Sequence, residues 1–549
     1  MIHRIFGHTA GLKALHIKKL ESLFRRQINP SQIVSPELAF FIAQLSYELN
    51  RQIGLLINRK GGIETVIVGD DQSIIIPPLP QSRIGVGRLK GLRLLHTHLK
   101  GEPISEEDKM DLALLRLDMI TAIGVNPAGQ AQRLYSAHLL PDNPEGKQWT
   151  ILDPEPIGPS GVEVNGLIRS LEEEWGRKIA SKKIPLRGEK AILVSVTTLP
   201  RAAVQESMEE LEELARSAGL WVLEKVVQSR KEVHSKFLMG KDRLSSLSIR
   251  ALQLGATLLI FDQDLNPSQI RSLTDFSDLK VIDRSQLILD IFAQRARTRE
   301  GKLQVEMAQL KYILPRLVGR DDALSRLTGG IGGRGPGETR LEIDRRRVRE
   351  KIHRLQKEWE AIRTQRKQRR GKRVRKGLPV ISIVGYTNAG KSTLLNTLTG
   401  SHLQAENRYF ATLDPTSRRL RFPKDREVIV TDTVGFIKNL PKDLLASFRA
   451  TLEELDEADL LLHIIDISHP RFEDQMSVVE NLLEELDLSR IRILRVFNKV
   501  DLVSREYAAA QCARYQAIPI CALQEETLEE LVNAMEQAIP FPYRGKGEA

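Results

Sequence analysis

The chain has 549 residues, too many for one hydrophobic core, and this length predicts three or four domains. Its 41% hydrophobic and 28% charged residues exclude a disordered chain, and with only Cys512 and Cys521 it has no disulfide framework, which indicates a reducing compartment. No apolar run approaches the ~18 residues that span a bilayer, and the first residues lack the apolar core of a signal peptide, so we expect a cytoplasmic protein.

The net charge of +11 is concentrated in one segment. Between Arg334 and Lys376, 18 Lys and Arg face 6 Asp and Glu, so this segment carries +12 and the remainder −1. For a milder excess of positive charge, a solvated charged helix and a polyanionic partner would explain the segment equally well. This density instead favours a polyanionic partner.

Residues 1–150 contain a set of candidate metal ligands. Apolar runs mixed with turn signals predict a small α/β domain here. His96 and His98 lie two apart, hence on one face of a strand, and Ser105 and Asp108 follow. Two histidines and one aspartate can make a three-ligand zinc site with an open position.

This arrangement resembles the H-x-H…S-x-x-D pattern of JAB/MPN-type zinc peptidases, with departures. Leu99 stands where that family has Pro, and the gap between the ligands is short. Gln52 stands where the family has its catalytic acid. We therefore expect a degenerate, non-catalytic JAB-like domain. An active metallopeptidase and an unrelated fold are the alternatives.

Residues 151–187 are expected to connect this extension to the rest of the chain. The stretch "DPEPIGPSG" at 153–161 is rich in Pro and Gly, which is typical of a linker. A polar, bridging helix is predicted to follow it.

Strand-like and helical runs alternate from residue 188 to residue 300. The strands are predicted at "AILVSV", "WVLEKVV", "TLLIF" and "KVID", and the helices at 205–217, 241–254 and 267–275. This alternation predicts a parallel sheet flanked by helices. We expect the region to end in one long helix running through "LILDIFAQRARTREGKLQVEMAQLKYILPRL".

Residues 301–376 predict an antiparallel helical hairpin, because two apolar stripes repeat at heptad spacing. The stripes are Leu303, Met307, Leu310, Leu314 and Leu317, and then Val348, Ile352, Leu355, Trp359 and Ile362. Thr339 and Glu342 fit a capping box at the start of the second helix. The predicted tip, "TGGIGGRGPGE" at 328–338, is either a flexible linker or a bare cationic loop that approaches nucleic acid closely; we favour the second.

A phosphate-binding loop follows the apolar run "LPVISIV". The stretch "GYTNAGKS" matches G-x-x-x-x-G-K-[ST] and precedes a helical run. Its residues are Gly385, Tyr386, Thr387, Asn388, Ala389, Gly390, Lys391 and Ser392. The glycines let the amides surround the phosphates, Lys391 can reach the β- and γ-phosphates, and the Ser392 hydroxyl can bind Mg²⁺.

Two further segments fit the switches of a GTPase. The first is "FATLD", which consists of Phe410, Ala411, Thr412, Leu413 and Asp414, and its Thr412 can offer a second hydroxyl to Mg²⁺. The second is "DTVG", which consists of Asp432, Thr433, Val434 and Gly435. Asp432 can hold the Mg²⁺ hydration shell and the Gly435 amide can sense the γ-phosphate. We expect Lys391, Thr412 and Gly435 to serve catalysis.

A guanine-selective motif completes the set. In "NKVD", which consists of Asn498, Lys499, Val500 and Asp501, the Asp501 carboxylate can accept from guanine N1–H and the exocyclic amine, a pattern that adenine lacks. "CAL", which consists of Cys521, Ala522 and Leu523, is the predicted backing loop, although Ser is commoner than Cys at its first position. An Asn-Lys pair alone is commonly a turn. The order of all these motifs in strand context makes chance implausible.

Phe436 follows Gly435, where Ras-like GTPases have a Gln that orients the attacking water. An apolar ring cannot hold water. We therefore expect slow hydrolysis until a partner orders the switches.

These motifs together resemble the HflX family of ribosome-associated GTPases. The stretches "KVIDRSQLILDIFAQRARTREG", "GGRGPGETRLEIDRRR", "GYTNAGKST", "FATLDPT" and "DTVGFIKNLP" carry the resemblance, which covers residues 190–540. It implies an α/β multidomain protein with a GTPase domain at 377–541, a mostly parallel sheet with flanking helices, and a short tail at 542–549. The extra C-terminal domain of longer members is expected to be missing or vestigial.

The resemblance also implies a function. Members bind the large ribosomal subunit through ribosomal RNA and can split stalled ribosomes under stress, with GTP, GDP and Mg²⁺ as ligands; we expect a monomer. In some related GTPases the position of Asn388 helps to hold K⁺, and we expect such an ion to replace an arginine finger in part. The alternatives are a slow GTP-dependent RNA- or protein-binding switch, and a metallopeptidase with an attached GTPase.

Overall fold

The computed structural model describes most of the chain. The described residues are 5–77, 79, 87–145, 147–158, 161–181, 188–230, 238–276, 279–317, 340–374, 378–400, 416–422, 426–433, 435–438 and 455–539. The chain divides into two compact units, one comprising Met1–Met208 with Leu220–Ile282, and the other Glu209–Gly219 with Asp283–Ala549. Every helix of the described part is too short or too polar to cross a bilayer.

The first unit begins with a mixed sheet. Its strands are β1 (Ile5–Gly7), β2 (Ile53–Asn58), β3 (Ile63–Val68), β4 (Leu92–His98), β5 (Met119–Val125), β6 (Ala131–Leu139), β7 (Trp149–Ile151) and β8 (Glu155–Pro156). The helices of this region are α1 (Ala14–Leu23), α2 (Pro36–Leu49), α3 (Glu106–Leu114) and α4 (Val164–Ser181). The strand order is β1-β3-β2-β4-β5-β6-β7, with β8 also on β6. Strand β4 is central: it pairs antiparallel with β2 and parallel with β5.

The segment predicted to be a linker is in fact part of this sheet and its core. Strand β8 pairs antiparallel with β6. Helix α4 buries Ile168 and Trp175 in the same hydrophobic cluster as the central strands. The predicted helix is therefore present, but it does not bridge two domains through solvent. Its hydrophobic face is covered by the first sheet.

The second sheet of the first unit confirms the predicted alternation. Its strands and helices are β9 (Lys190–Thr197), α5 (Arg201–Ser217), β10 (Trp221–Ser229), α6 (Lys241–Leu254), β11 (Leu258–Phe261), α7 (Pro267–Phe276) and β12 (Lys280–Asp283). The order is β10-β9-β11-β12, and β9 pairs in parallel with both β10 and β11. Strand β9 is buried along almost its whole length, as its continuous apolar run predicts.

The second unit contains the predicted hairpin and the third sheet. Its helices are α8 (Arg284–Arg295), α9 (Arg299–Ile313), α10 (Arg340–Val374), α11 (Lys391–Thr399), α12 (Phe472–Glu485), α13 (Arg505–Tyr515) and α14 (Glu529–Ala538). Its strands are β13 (Val380–Gly385), β14 (Thr416–Arg421), β15 (Glu427–Asp432), β16 (Leu460–Asp466), β17 (Ile493–Asn498) and β18 (Ile518–Pro519). Short 3₁₀ turns lie at Leu314–Arg316, Leu455–Glu457, Val500–Leu502 and Glu525–Leu528.

The single long helix predicted through residues 287–317 is wrong. Helix α8 ends at Arg295, and Ala296 has an extended backbone. Thr298 then starts α9 by accepting a hydrogen bond from the Gly301 amide at 3.0 Å. The apolar pattern of a helix continues across the break and therefore does not reveal it. Thr298, a residue type that favours helix N-caps, was the local sign that a new helix begins there.

The antiparallel hairpin is confirmed. Arg299 at the start of α9 pairs with Glu358 of α10, and Glu306 further along α9 pairs with Lys351. Leu317, which follows α9, accepts a hydrogen bond from Arg345. The contact residues on α10 therefore come earlier in the sequence as those on α9 come later, which is the pattern of antiparallel helices. The buried centre is Leu303, Met307 and Leu355, with Leu310, Trp359 and Ile362 beside it. Leu314 and Leu317 follow the end of α9, so the first stripe is shorter than predicted. The capping residue Thr339 and the tip at 328–338 lie outside the described residues.

The third sheet has the predicted, mostly parallel form. Its order is β14-β15-β13-β16-β17-β18, and only β14 is antiparallel to its neighbour. Strand β13 lies between β15 and β16, so the strand order reverses there. Ligands of open α/β sheets bind at the carboxyl ends of strands at such a point. The predicted motifs follow these strand ends.

Candidate functional site

The loop after β13 is shaped by two glycines at positions where a side chain would collide with its neighbours or strain the backbone. A Cβ on Gly385 would lie 2.3 Å from the Ile464 carbonyl oxygen. Gly390 has φ +96°, and a Cβ there would lie 2.2 Å from the Asn498 side-chain nitrogen. Gly390 immediately precedes α11, so the loop closes onto the amino end of that helix. This is the geometry that places backbone amides around phosphate groups.

Lys391 is buried inside this loop. Its Nζ donates to the Gly385 carbonyl at 3.2 Å and to the Tyr386 carbonyl at 2.7 Å. Burial lowers the pKa of Lys391 to about 8, and the nearby Asp432 carboxylate opposes part of that shift. The ammonium group therefore lies in a low-dielectric cradle, where its attraction to an incoming phosphate is strong.

Ser392 and Asp432 form an oxygen-ligand pair beside the lysine. The Ser392 hydroxyl donates to Asp432 Oδ2 at 2.6 Å, and Asp432 is 1% exposed at the end of β15. A hydroxyl and a carboxylate are ligands suited to Mg²⁺ with its water shell. Thr433 anchors the strand end by donating to the Ile383 carbonyl at 2.7 Å. These residues fit the metal that the motif implies.

The segment after Asp432 is bonded to the phosphate loop. The Thr387 amide donates to the Phe436 carbonyl at 2.8 Å, and the Phe436 amide donates to the Gly385 carbonyl at 3.1 Å. The Phe436 side chain is 3% exposed. Gly435 lies against the cradle: a Cβ there would be 2.9 Å from Lys391 Nζ. The two segments therefore form one backbone-paired element.

The predicted base site is assembled by Asn498. Its side-chain nitrogen donates to the Ala389 carbonyl at 2.8 Å, and its oxygen accepts from the Ala522 amide at 2.9 Å. The asparagine thus ties the phosphate loop to the backing loop. Lys499 has φ +64° and donates to Asp466 at 2.6 Å.

The remaining base-site residues differ in exposure, because Cys521 and Ala522 are buried while Asp501 and Leu523 face solvent. Asp501 is exposed on the 3₁₀ turn that begins at Val500, and Leu523 is 79% exposed. Burial raises the pKa of the Cys521 thiol, and the Asp501 carboxylate adds to the rise. The thiol therefore stays protonated beside that carboxylate, in the position where Ser is commoner.

The structure brings together the predicted residues from Gly385 to Ser392, Asp432, Thr433 and Gly435, and the two base-site motifs. Phe410, Ala411, Thr412, Leu413, Asp414 and Val434 lie outside the described residues, and their roles stay predictions. His96, His98 and Asp108 also come together, in the first unit.

Sequence reasoning missed two side chains that support the site. The Tyr386 hydroxyl donates to the Glu210 carboxylate and accepts from the Lys438 amide at 2.8 Å. Arg284 pairs with the same Glu210. Glu210 is distant in sequence and lies on a charged helix, so no pattern singled it out.

His463 was missed as well. It is 1% exposed on β16, between β13 and β17. Burial lowers its pKa to about 3, and the positive charges of Arg495 and Lys391 add to the shift. One polar residue in the apolar run "LLLHIID" was the only available signal.

The fold and the site together define a P-loop GTPase. The reversed strand order at β13, the lysine cradle, the hydroxyl–carboxylate pair and the Asn498 bridge all belong to that class. Residues 205–293 match the family described as GTP-binding GTPase N-terminal, and 295–373 match GTP-binding GTPase Middle Region. Residues 380–499 match the family described as 50S ribosome-binding GTPase.

Curated relatives identify the particular family. The chain is 46% identical over 351 residues to GTPase HflX of Caldanaerobacter subterraneus subsp. tengcongensis, covering 64% of this chain and 81% of that one. It is 46% identical over 316 residues to GTPase HflX of Escherichia coli (strain K12), covering 58% and 74%. The chain belongs to the HflX family; it binds GTP and hydrolyses it to GDP.

A solved structure is also similar. It is a GTP-binding protein from the hyperthermophilic archaeon Sulfolobus solfataricus in complex with GDP, 26% identical, covering 64% of this chain and 98% of that one. Its TM-score of 0.37 is too low to add to the assignment.

Proposed function

We propose that this GTPase binds the large ribosomal subunit in the cytoplasm, as a monomer, and uses GTP to split or rescue stalled ribosomes under stress. The observation that carries the proposal is the charge of α10. Its 35 residues hold 15 Lys and Arg against 5 Asp and Glu, and the helix is about 50 Å long. The description of the family matched by residues 380–499, as 50S ribosome-binding GTPases, supports the same partner.

The hairpin presents this charge on a supported helix. Leu303, Met307 and Leu355 pack α10 against α9 on one side. Arg346, Arg347 and Arg349 are exposed near its amino end. An exposed basic helix held by a second helix can contact the phosphates of ribosomal RNA without first paying for its own folding.

The test compares GTP turnover with and without purified large subunits. We expect turnover to rise at least tenfold with subunits. A variant with Arg346, Arg347 and Arg349 changed to Gln should bind subunits more weakly and with a shallower salt dependence, because fewer counterions are released. A control with Arg490, Arg492 and Arg505 changed to Gln removes the same charge from exposed positions outside the hairpin.

Two results would count against the large ribosomal subunit, or α10, as the basis of binding. If large subunits neither bind the GTP form nor raise its turnover, the proposal is wrong. If the hairpin variant and its control lose affinity equally, general charge rather than α10 is responsible.

The second candidate is a slow GTP-dependent switch that binds RNA or protein without splitting ribosomes. Its basis is Phe436, which is buried and offers no group to orient water. Sedimentation of intact ribosomes with the protein and a non-hydrolysable GTP analogue distinguishes the two. Dissociation into subunits supports splitting, whereas binding without dissociation supports the switch.

The site roles belong to the same proposal. The loop from Gly385 to Ser392 holds the phosphates, Ser392 and Thr412 bind Mg²⁺ with Asp432 in its outer shell, and Asp501 selects guanine. Asn388, whose φ of +63° turns the loop, is the proposed K⁺ contact. Turnover should be faster in KCl than in matched NaCl; equal rates would remove the K⁺ role.

A further inference from the structure

Three metal-ligating side chains converge in the first unit, whereas the GTPase motifs belong to the second. His96 and His98 lie at the end of β4, and Asp108 lies in the first turn of α3. His96 Nε2 is 2.9 Å from His98 Nε2 and 3.1 Å from Asp108 Oδ1, and His98 Nε2 is 3.5 Å from Asp108 Oδ2. All three residues are buried.

The three facing atoms of the cluster, His96 Nε2, His98 Nε2 and Asp108 Oδ1, have more lone pairs than protons to share among them. His98 Nδ1 lies 2.9 Å from the Glu102 carbonyl oxygen, which can only accept, so a neutral His98 carries its proton on Nδ1. Its Nε2 then presents a lone pair to His96. A neutral His96 can supply one proton from Nε2, yet both His98 Nε2 and Asp108 Oδ1 face that atom. A cation at the centre satisfies all three ligands at once.

Surrounding groups already hold two of the three ligands, His98 and Asp108, in place, whereas His96 Nδ1 is buried and has no hydrogen-bond partner among the described residues. The Glu102 carbonyl orients the His98 ring, as outer-shell acceptors do for zinc-bound histidines. Asp108 Oδ2 accepts from the Ser105 amide and hydroxyl, both at 2.8 Å, which leaves Oδ1 directed at His96. The carboxylate is therefore oriented by the capping box of α3.

The spacing fits a tetrahedral ion. Ligand atoms about 2.0–2.2 Å from zinc lie roughly 3.3–3.6 Å from one another. The observed separations of 2.9, 3.1 and 3.5 Å need shifts of only tenths of an ångström. Two imidazole nitrogens and one carboxylate oxygen suit zinc better than Mg²⁺ or Ca²⁺, which prefer oxygen alone.

The position of α3 indicates what such an ion does. Leu112 and Ala113 of this helix are buried in the core of the first sheet, while Leu114 belongs to the core of the second sheet. The helix has only nine residues and packs against α6. An ion joining its first turn to β4 would hold it between the two cores.

Hydrolysis is not the role that the neighbouring residues support. At the position where JAB/MPN-type peptidases have their catalytic acid, the Gln52 amide is 1% exposed and donates to the Gln72 carbonyl at 2.9 Å. An amide cannot take a proton from water as a carboxylate does. We propose that His96, His98 and Asp108 bind one zinc ion as a structural site that fastens α3 to β4.

The test measures zinc in the full-length protein, purified and then equilibrated with Zn²⁺ after chelation. We expect one zinc per chain, a thermal midpoint several degrees higher with zinc, and visible absorption from tetrahedral Co²⁺ when cobalt replaces zinc. Asp108→Asn keeps the shape of the side chain but removes the anionic ligand, and should weaken zinc binding at least 100-fold.

His138→Gln is the matched control. His138 is a buried histidine of the same sheet that bonds to the Leu139 carbonyl and lies outside the cluster. It should keep zinc at wild-type stoichiometry. The thermal transition of the first unit, measured in each variant, reports whether the substituted unit remains folded.

Two outcomes would overturn the proposal. One is a wild-type chain that takes up less than a tenth of an equivalent of zinc and gains no thermal stability. The other is a folded Asp108→Asn variant that binds zinc as tightly as the His138→Gln control. Zinc-dependent peptide cleavage would overturn the structural assignment while keeping the metal.

Discussion

One buried histidine, His463, predicts a dependence of stability on pH that the composition does not indicate. His463 lies in the middle of the GTPase sheet, and its pKa is lowered to about 3 mainly by burial. In the unfolded chain the same side chain takes up a proton near its ordinary value of about 6.5. Between these two values the unfolded state binds more protons, so stability is fully present above pH 6.5 and falls as the pH drops.

We therefore expect His463→Leu to reduce this loss. One proton corresponds to about 1.4 kcal/mol per pH unit, so the wild-type chain should lose roughly 2 kcal/mol more than the variant between pH 7.5 and pH 5. Urea unfolding of both proteins at the two pH values, followed by a probe in the GTPase domain, measures the difference. Equal losses would show that His463 is not buried in its neutral form.

At the scale of elements, the segment after β15 behaves as an extension of the phosphate loop. Its backbone bonds join Gly385 and Thr387 to Phe436, and the Tyr386 hydroxyl holds Lys438. Phe436, at the position where Ras-like GTPases have a catalytic Gln, is therefore a buried part of this paired element. The side chain at this position packs inward and stabilises the paired element.

Phe436→Gln should accordingly fail to produce a fast enzyme. Burying an amide in place of the ring should cost about 2–4 kcal/mol of stability, with no rise in GTP turnover by the protein alone. Phe436→Leu is the control, which should cost about 1 kcal/mol and keep the wild-type rate. Single-turnover GTP hydrolysis and urea unfolding check both variants. A tenfold faster Gln variant would contradict this account.

At the scale of the whole molecule, the chain contains two units with separate cores. The cores of the first two sheets belong to the first unit, and those of the third sheet and the hairpin belong to the second. A ligand that binds only one folded unit should stabilise only that unit.

Calorimetry should resolve this difference. GDP with Mg²⁺ at a hundred times its dissociation constant should stabilise the second unit by about 2.7 kcal/mol, which raises one thermal transition by a few degrees. The transition of the first unit should not move. A single transition that shifts as a whole would show that the two units unfold cooperatively.

The elements and nucleotide motifs were predictable because their signals are local. The strands and helices from β9 to β12 follow apolar periodicity, and the GTP motifs follow chemistry that demands glycines, a lysine and an asparagine at defined spacing. The break at Ala296 and the burial of α4 were missed. Both depend on a competing cap or a distant surface that periodicity does not report.

The sequence by itself therefore determined the class of enzyme and the hairpin, and it predicted the residues of the nucleotide site. Tertiary structure alone decided how distant side chains act on the site: Glu210 accepts a hydrogen bond from Tyr386, and His463 is buried on β16 between β13 and β17. The physical reason is the distance along the chain over which each interaction acts. Backbone preference and hydrophobic period act over a few residues, whereas hydrogen bonds and burial depend on neighbours that only the folded chain supplies.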